Sequence, residues 1–498
     1  MCLVLSFFCF SVLRKAKIDI RMRHGIILFS EPRSGCAGRR AWPCLNADKY
    51  GAMLPKGEKT LRTRIHHVLL TKGAVAQTEH LSFIPDSEVQ IDGNRIVYAG
   101  ATAHAPRFVA EREVDGSGML CMPGLCNMHT HTTMTLLRSV GGNQALSDWL
   151  HQSIFPLEKQ LDDETVLAGT ELGLMEMLRF GTTSFCDMYM RLNAIGQATQ
   201  RSGMRALLGH GVVDFDESCA DLDEGLVMVE KWHHTANDRI RMTLAPHSEG
   251  ATTPKLMQKV ARIAKEQKLT VHVHVSETKA DFDECQQRRG CTPPEYLERM
   301  GILDSPVIAA HCVWMTEDDI RLFAQHGVTI VHNPVSNLKL ASGIAPVQKM
   351  LDAGCRVALG TDGVASNNNQ NLWEEMKLMP LLQKGTLLDP TLISPAQALR
   401  SATLTGAEAM GYDRLGLLEA GYLADLILLD LRVPHMLPAR HMEDNLVYAA
   451  QGSDVRLTMV DGEILYRDGE YLTLNANDVM RRASAAADLL AERAEKAR

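Results

Sequence analysis

"PGLCNMHTHTTMTLLRS", residues 123–139, sets two histidines one residue apart directly after a short apolar run. On an extended strand residues i and i+2 share a face, so His129 and His131 can reach one point. Two neutral imidazoles converging on a point suit a metal ion such as zinc or iron. Taken alone the pair says little, because a loop can hold two histidines at this spacing by coincidence. The reading depends on whether the chain repeats the pattern and supplies further ligands.

Seven more candidate strands follow. "GLCNMHTH" (124–131) is succeeded by "TTSFCDM" (182–188), "RALLGHGVV" (205–213) and "IRMTLAPHS" (240–248). "TVHVHVSE" (270–277), "VIAAHC" (307–312), "VTIVHNP" (328–334) and "RVALGTDG" (356–363) complete the set. Between most of them lie amphipathic stretches such as "TVLAGTELGLMEMLRFG" and "PKLMQKVARIAKEQK", with apolar residues at helical spacing. Eight strands, each leading to a helix, predict an α/β fold, a (β/α)8 TIM barrel over residues 121–411. Nearly every strand ends in a polar residue: His129 and His131, Asp187, His210, His247, His274, His311, His332 and Asp362. The C-terminal rim of such a barrel is where catalytic groups sit.

The flanks read differently. "RIHHVLLTKG" and "SEVQIDGNRIVYAG" early in the chain, and "ADLILLDL" and "VRLTMVDGEILYRDGEYL" near its end, are short strands broken by D-G and G-N turns. They predict one small β-sandwich built from both chain ends, residues 53–120 plus 412–475, followed by a helix over 476–498. His66 and His67 fall in this sandwich and are read as structural. Near the N-terminus "LVLSFFCFSVL" (3–13) has the apolarity of a signal core, but basic residues follow it instead of preceding it. Residues 1–52 are therefore expected to be a disordered extension ahead of a start at Met53.

Composition narrows the classes of function. A net charge of −8 argues against a nucleic-acid partner, which would demand a basic face. No segment is long and apolar enough to span a bilayer. The 12 cysteines are scattered without a C-x-x-C pair, which fits a reducing cytoplasm.

The rim residues then specify a chemistry. Asp362 ends the last strand and faces the first across barrel closure, so His129, His131, His274 and Asp362 can share one divalent metal. His272, two residues before His274, is read as packing or as support for a ligand. Glu277, three residues after His274, is placed to shuttle protons, and His311 to stabilise the attacking or leaving group. A metal that lowers the pKa of water towards ~7 makes a nucleophile at neutral pH. A two-metal amide hydrolase built on such a barrel usually needs a bridging carboxylated lysine or a glutamate on a middle strand. "LAPHS" has no lysine, and Glu249 lies beyond the strand end, so a single metal is expected.

With these residues in view, "HVHVSET", "AAHCVWM", "HNPVSNLKLASGIAPVQKM" and "LGTDGVASNNNQNLWEEMKL" join the opening stretch in a resemblance to the amidohydrolase superfamily. They are most similar to its methylthioadenosine/S-adenosylhomocysteine deaminases, with triazine hydrolases and guanine deaminases as relatives. The resemblance spans about residues 60–475. It implies a barrel with a β-sandwich, one Zn2+ or Fe2+ per subunit, a nucleoside substrate, a cytoplasmic location and a homo-oligomer. It places the metal on His129, His131, His274 and Asp362, and the further catalytic roles on Glu277 and His311. In the implied reaction Asp362 takes a proton from the attacking water while Glu277 protonates the ring nitrogen. "LSDWLHQSIFPLEKQL" (146–161) resembles the segment whose glutamate, here Glu158, binds ribose hydroxyls, and His247 matches a nucleoside-contacting histidine. Without the resemblance, Glu158 reads as a solvated residue of an amphipathic helix.

The chain also departs from the family. His210 stands where an arginine often ends the third strand, and counts as a weaker candidate for substrate contact. A second arginine is missing from "DFDESCADLDEG", and the aromatic after "PHS" is replaced by Glu249 and Gly250. These changes concern the 5′ end of a nucleoside and not the reaction. The alternatives carried forward are a deaminase of a free base or pterin, a triazine-type hydrolase or dehalogenase, and a metal-binding homologue without catalysis.

Overall fold

From residue 62 onward alternating apolar residues punctuated by D-G turns set out a run of strands. The computed structural model describes residues 61–72, 81–144 and 146–497, within the compact unit Lys59–Arg498. The expectations for residues 1–52, for a start at Met53 and for the sandwich before residue 61 lie outside the described residues. β1 (Arg62–Lys72), β2 (Ser82–Asp92), β3 (Arg95–Ala101), β4 (Arg112–Asp115) and β5 (Met119–Pro123) come first. Gly93 turns β2 into β3 with φ of 61°, a conformation that costs a residue without Cβ little.

Eight parallel strands follow: β6 (Leu125–Thr130), β7 (Thr182–Tyr189), β8 (Arg205–Val212), β9 (Ile240–Pro246), β10 (Val271–Val275), β11 (Val307–His311), β12 (Thr329–His332) and β13 (Arg356–Leu359). Each pairs with its neighbour in sequence order. The barrel closes between β13 and β6 through the residues after β13. Asp362 N–H donates to His129 O at 2.9 Å, and Thr361 N–H to Asn127 Oδ1 at 3.0 Å. Gly360 is required at this seam, since a Cβ there would stand 2.8 Å from His129 N. All eight strands predicted from sequence are present. Seven of them end earlier than expected, where polar rim residues turn the backbone out of the strand, and β7 runs one residue further, to Tyr189.

The two chain ends meet in the second sheet. β14 (Leu426–Asp430), β15 (Val455–Val460), β16 (Glu463–Arg467) and β17 (Glu470–Tyr471) join the early strands in the order β17-β16-β15-β14-β5-β1-β2-β3, with β4 on β1. The ladder is continuous because β5 pairs antiparallel with β14 on one side and parallel with β1 on the other. Ile65, Val89 and Ile91 from the first end pack with Leu428, Leu457 and Met459 from the second. Burying such side chains contributes roughly 1.5–3 kcal/mol each.

Two contacts fasten this sheet and the last helix to the barrel. Arg205, fully buried at the start of β8, gives Nε and Nη2 to Asp425 at 2.8 and 3.0 Å and Nη2 to Asp461 at 3.0 Å. The helix Ala476–Lys496 packs on the helix Asp163–Arg179, with Arg493 Nη1 2.8 Å from Asp162 Oδ2. Asp162 also caps that helix reciprocally with Thr165. Among the described residues no helix is long and apolar enough to cross a membrane.

Candidate active site at the barrel mouth

The alternation in "VHVHV" aims His272 and His274 into the barrel, and β6 aims His129 and His131 at the same place. The His129, His131 and His274 rings gather with centroids 4.8–5.5 Å apart. One ligand nitrogen from each lies within 4.8 Å of the others. Asp362, just past β13, brings Oδ1 to 3.4 Å from His129 Nε2 and 3.3 Å from His131 Nε2. His311, at the end of β11, stacks 5.4 Å from His274. The four residues read as metal ligands are therefore brought together, with His311 beside them.

Each imidazole is held by its other nitrogen. His131 Nδ1 lies 2.6 Å from Met188 O, and His274 Nδ1 lies 2.7 Å from His247 O. His129 Nδ1 meets His272 Nε2 at 2.9 Å, and His272 Nδ1 in turn meets Cys186 Sγ at 3.3 Å. His272 thus holds the His129 ring. These bonds fix the rings and leave the Nε2 atoms facing a common point. Asp362 is fixed as well: Ser336 and Ser366 donate to Oδ2 at 2.6 and 3.0 Å, and Gly363 N–H to Oδ1 at 2.7 Å.

The site fits a cation. His129 Nε2 is buried without a hydrogen-bond partner, a cost that a ligand at that point would remove. Burial pushes His129 down to about 3, so it is neutral, the form that ligates a metal. Burial alone would raise Asp362, but the His129 and His131 imidazoles outweigh it and hold the carboxyl well below the usual range. Three imidazoles and a carboxylate around one point are a donor set for a single divalent cation.

Glu277 stands two residues past β10, with Oε2 3.8 Å from His311 Nε2 and Oε1 accepting from Ser342 Oγ at 3.4 Å. Burial raises its pKa, which makes the carboxyl a better proton donor than a free one. His311 Nδ1 contacts Asn337 Oδ1 at 2.9 Å, leaving Nε2 towards Glu277 and the cluster. The backbone takes φ of 71° at His311 and 61° at Asp362, left-handed values that non-glycine residues seldom adopt.

The remaining candidates separate. Glu158 ends the short helix Phe155–Glu158 and is not freely solvated: its Oε1 accepts from Tyr189 Oη at 2.7 Å. His247 follows β9 at the exposed mouth, its ring 4.5 Å from that of His274. His210 is not brought to the cluster. Its side chain is buried against Gly225 of the helix Ala220–Trp232, a position set by its place in β8. Glu249 is taken by Arg288 and Arg289 at 3.0 and 2.8 Å and does not approach the ligands. Asp187 accepts from Thr132 N–H at 3.0 Å and supports the turn after β6. His66 and His67 group with Asp115 on the other sheet, His66 half-buried and the other two exposed.

Sequence reasoning missed Tyr189, Ser336 and Ser366. The rule that singled out Asp187 as a polar strand end also fits Tyr189, two residues on and at the last position of β7. Nothing in "NPVSN" or "VASNN" distinguishes its serine.

Comparison with known proteins adds to this geometry. The sequence model of the amidohydrolase family matches residues 120–465. The chain is 43% identical to a 5-methylthioadenosine/S-adenosylhomocysteine deaminase of Moorella thermoacetica, over 78% of this chain and 92% of that one. It is 42% identical to a 5′-deoxyadenosine deaminase of Methanothermobacter thermautotrophicus, over 80% and 93%. The solved structure of an adenosine deaminase from Xanthomonas campestris with bound zinc superposes with a TM-score of 0.80 at 34% identity, covering 86% of this chain and 99% of that one.

Proposed function

Because the chain belongs to the amidohydrolase family, we propose that it deaminates adenine nucleosides hydrolytically, giving the inosine analogue and ammonia. Methylthioadenosine, S-adenosylhomocysteine, 5′-deoxyadenosine and adenosine are the substrates that its relatives' names suggest. The observation that carries the reading is the half-buried Glu277 carboxyl, 3.8 Å from His311 Nε2, beside three imidazoles that converge on one carboxylate.

His129, His131, His274 and Asp362 would hold the cation, and zinc suits these donors best. Once bound, a divalent cation supplies the Lewis acidity that brings the pKa of water towards ~7. Asp362 Oδ1 accepts one proton from the attacking water, and Glu277 gives its proton to the ring nitrogen beside the amine-bearing carbon. With Nδ1–H donated to Asn337, His311 offers Nε2 as an acceptor that orients the water. Oxygen adds to the carbon, Asp362 passes its proton to the amine, and ammonia departs. The proton left on the new oxygen returns to Glu277, so each residue ends as it began. Glu158 takes the ribose hydroxyls, since a carboxylate accepts from two neighbouring donors, and His247 lines the same pocket.

Ammonia release by the zinc-loaded protein tests this against methylthioadenosine, S-adenosylhomocysteine, 5′-deoxyadenosine, adenosine, guanine and a pterin. Turnover is expected for the nucleosides. Turnover of guanine or the pterin alone would reject the ribose reading, and no ammonia from any of them would reject the reaction.

A further inference from the structure

The segment that carries Glu158 has little regular structure of its own. A π-helical turn, Trp149–Ile154, runs into the four-residue helix Phe155–Glu158. Beyond it, Arg493 Nη1 ties Gln160 O at 3.0 Å and Asp162 at 2.8 Å, but nothing in those bonds aims the Glu158 carboxylate. That task falls to Tyr189. It is the last residue of β7, is 95% buried, and donates Oη to Glu158 Oε1 at 2.7 Å. Its ring lies 6.2 Å from that of His131, a proposed metal ligand.

We propose that Tyr189 is a positioning residue for substrate selection, holding Glu158 so that its free lone pairs meet the cis-diol of a ribonucleoside. The proposal rests on the reading of Glu158 as the acceptor for ribose. Geometry supplies the reason. A carboxylate has about four acceptor directions, and a rotating one can miss two hydroxyls fixed on a ring. Donation from the phenol fills one direction and fixes the plane of the group. Because Tyr189 belongs to a barrel strand, it also refers Glu158 to the same frame that carries the ligand cluster. The distance between the diol and the reacting carbon is thereby matched by the protein instead of by a mobile loop. A hydrogen bond to an ionised group is among the stronger kinds, so its loss should be measurable.

The experiment compares wild type, Tyr189→Phe, Glu158→Gln and the double variant, all zinc-loaded. Substrates are adenosine and 2′,3′-dideoxyadenosine, and kcat and KM are measured for each. Tyr189→Phe is expected to raise KM for adenosine about tenfold, with kcat within about threefold and KM for the dideoxy analogue unchanged. The double variant should be no worse on adenosine than Glu158→Gln alone, because the phenol acts through that carboxylate. A rise in KM for both substrates would make Tyr189 a packing residue only and overturn the proposal. No rise for either substrate would also overturn it, provided Glu158→Gln loses adenosine selectively. If Glu158→Gln leaves the preference for adenosine over its dideoxy analogue intact, the ribose reading itself fails, and the proposal falls with it.

Discussion

At the N-terminal end of the barrel, Arg205 lies between Asp425 and Asp461 with its guanidinium 4.6 Å from the Tyr412 ring. The charge is buried and answered on each side. At the C-terminal end three imidazoles crowd around one carboxylate, and His129 Nε2 is buried without a hydrogen-bond partner. Both ends gather charged or imidazole groups, so the difference lies in what has been left unpaired. Paired groups at one end fasten the barrel to the second sheet. The other end holds its groups in place by their outer atoms and leaves their inner atoms facing one point. The division of labour matches the usual one in this fold, with chemistry at one face and stability at the other.

That contrast can be broken at either end. Glu277→Gln should lower kcat about 10³-fold while metal content, read by atomic absorption, stays at the wild-type level, because the proton transfer is lost and the ligands are not. Next in size, Arg205→Met should cost about 3–5 kcal/mol in urea unfolding, since it strands two buried carboxylates. The folded fraction should keep its kcat, and a loss of kcat equal to that of Glu277→Gln would erase the distinction between the two ends. His272→Ala is a smaller test at the working end. It should weaken zinc affinity tenfold to a hundredfold in a competition titration, through a freed His129 ring; unchanged affinity would mean that His272 only packs.

The smallest effect sharpens the comparison through pH. Burial raises the Glu277 pKa in the folded state. Below the unfolded value of about 4.5 both states carry the proton, and the residue has no bearing on stability. As pH rises through the folded pKa, the folded state must bury a charge and loses stability. Metal-free Glu277→Gln should therefore melt above metal-free wild type at neutral pH and alongside it near pH 4. A melting difference that grew towards acid would contradict the burial argument.

Much of this architecture is legible in the sequence because strand alternation and strand ends are local signals. "HVHV" announces two inward histidines, and "HTH" and "LGTDG" announce the two sides of a seam. That His210 lies away from the cluster has a physical cause. Being polar at a strand end does not say which face a residue takes, and in β8 His210 falls on the face that meets the helix Ala220–Trp232. Glu249 is taken by arginines 39 and 40 residues later, a pairing that no local pattern reveals. Tyr189 escaped because its significance depends on where a distant short helix settles. Ser336 and Ser366 escaped because a serine hydroxyl acquires a role only from what it faces.

The seam itself has a consequence for how the protein comes to exist. Thr361 and Asn127 meet across 234 residues of chain, and the neighbouring bond joins Asp362 to His129. Closing so long a loop is among the slower steps of folding. The contact that completes the barrel also brings the proposed ligand carboxylate to its histidines. During synthesis a chain that has not yet emerged past Asp362 therefore lacks the full ligand set, and metal capture would report that the barrel has closed.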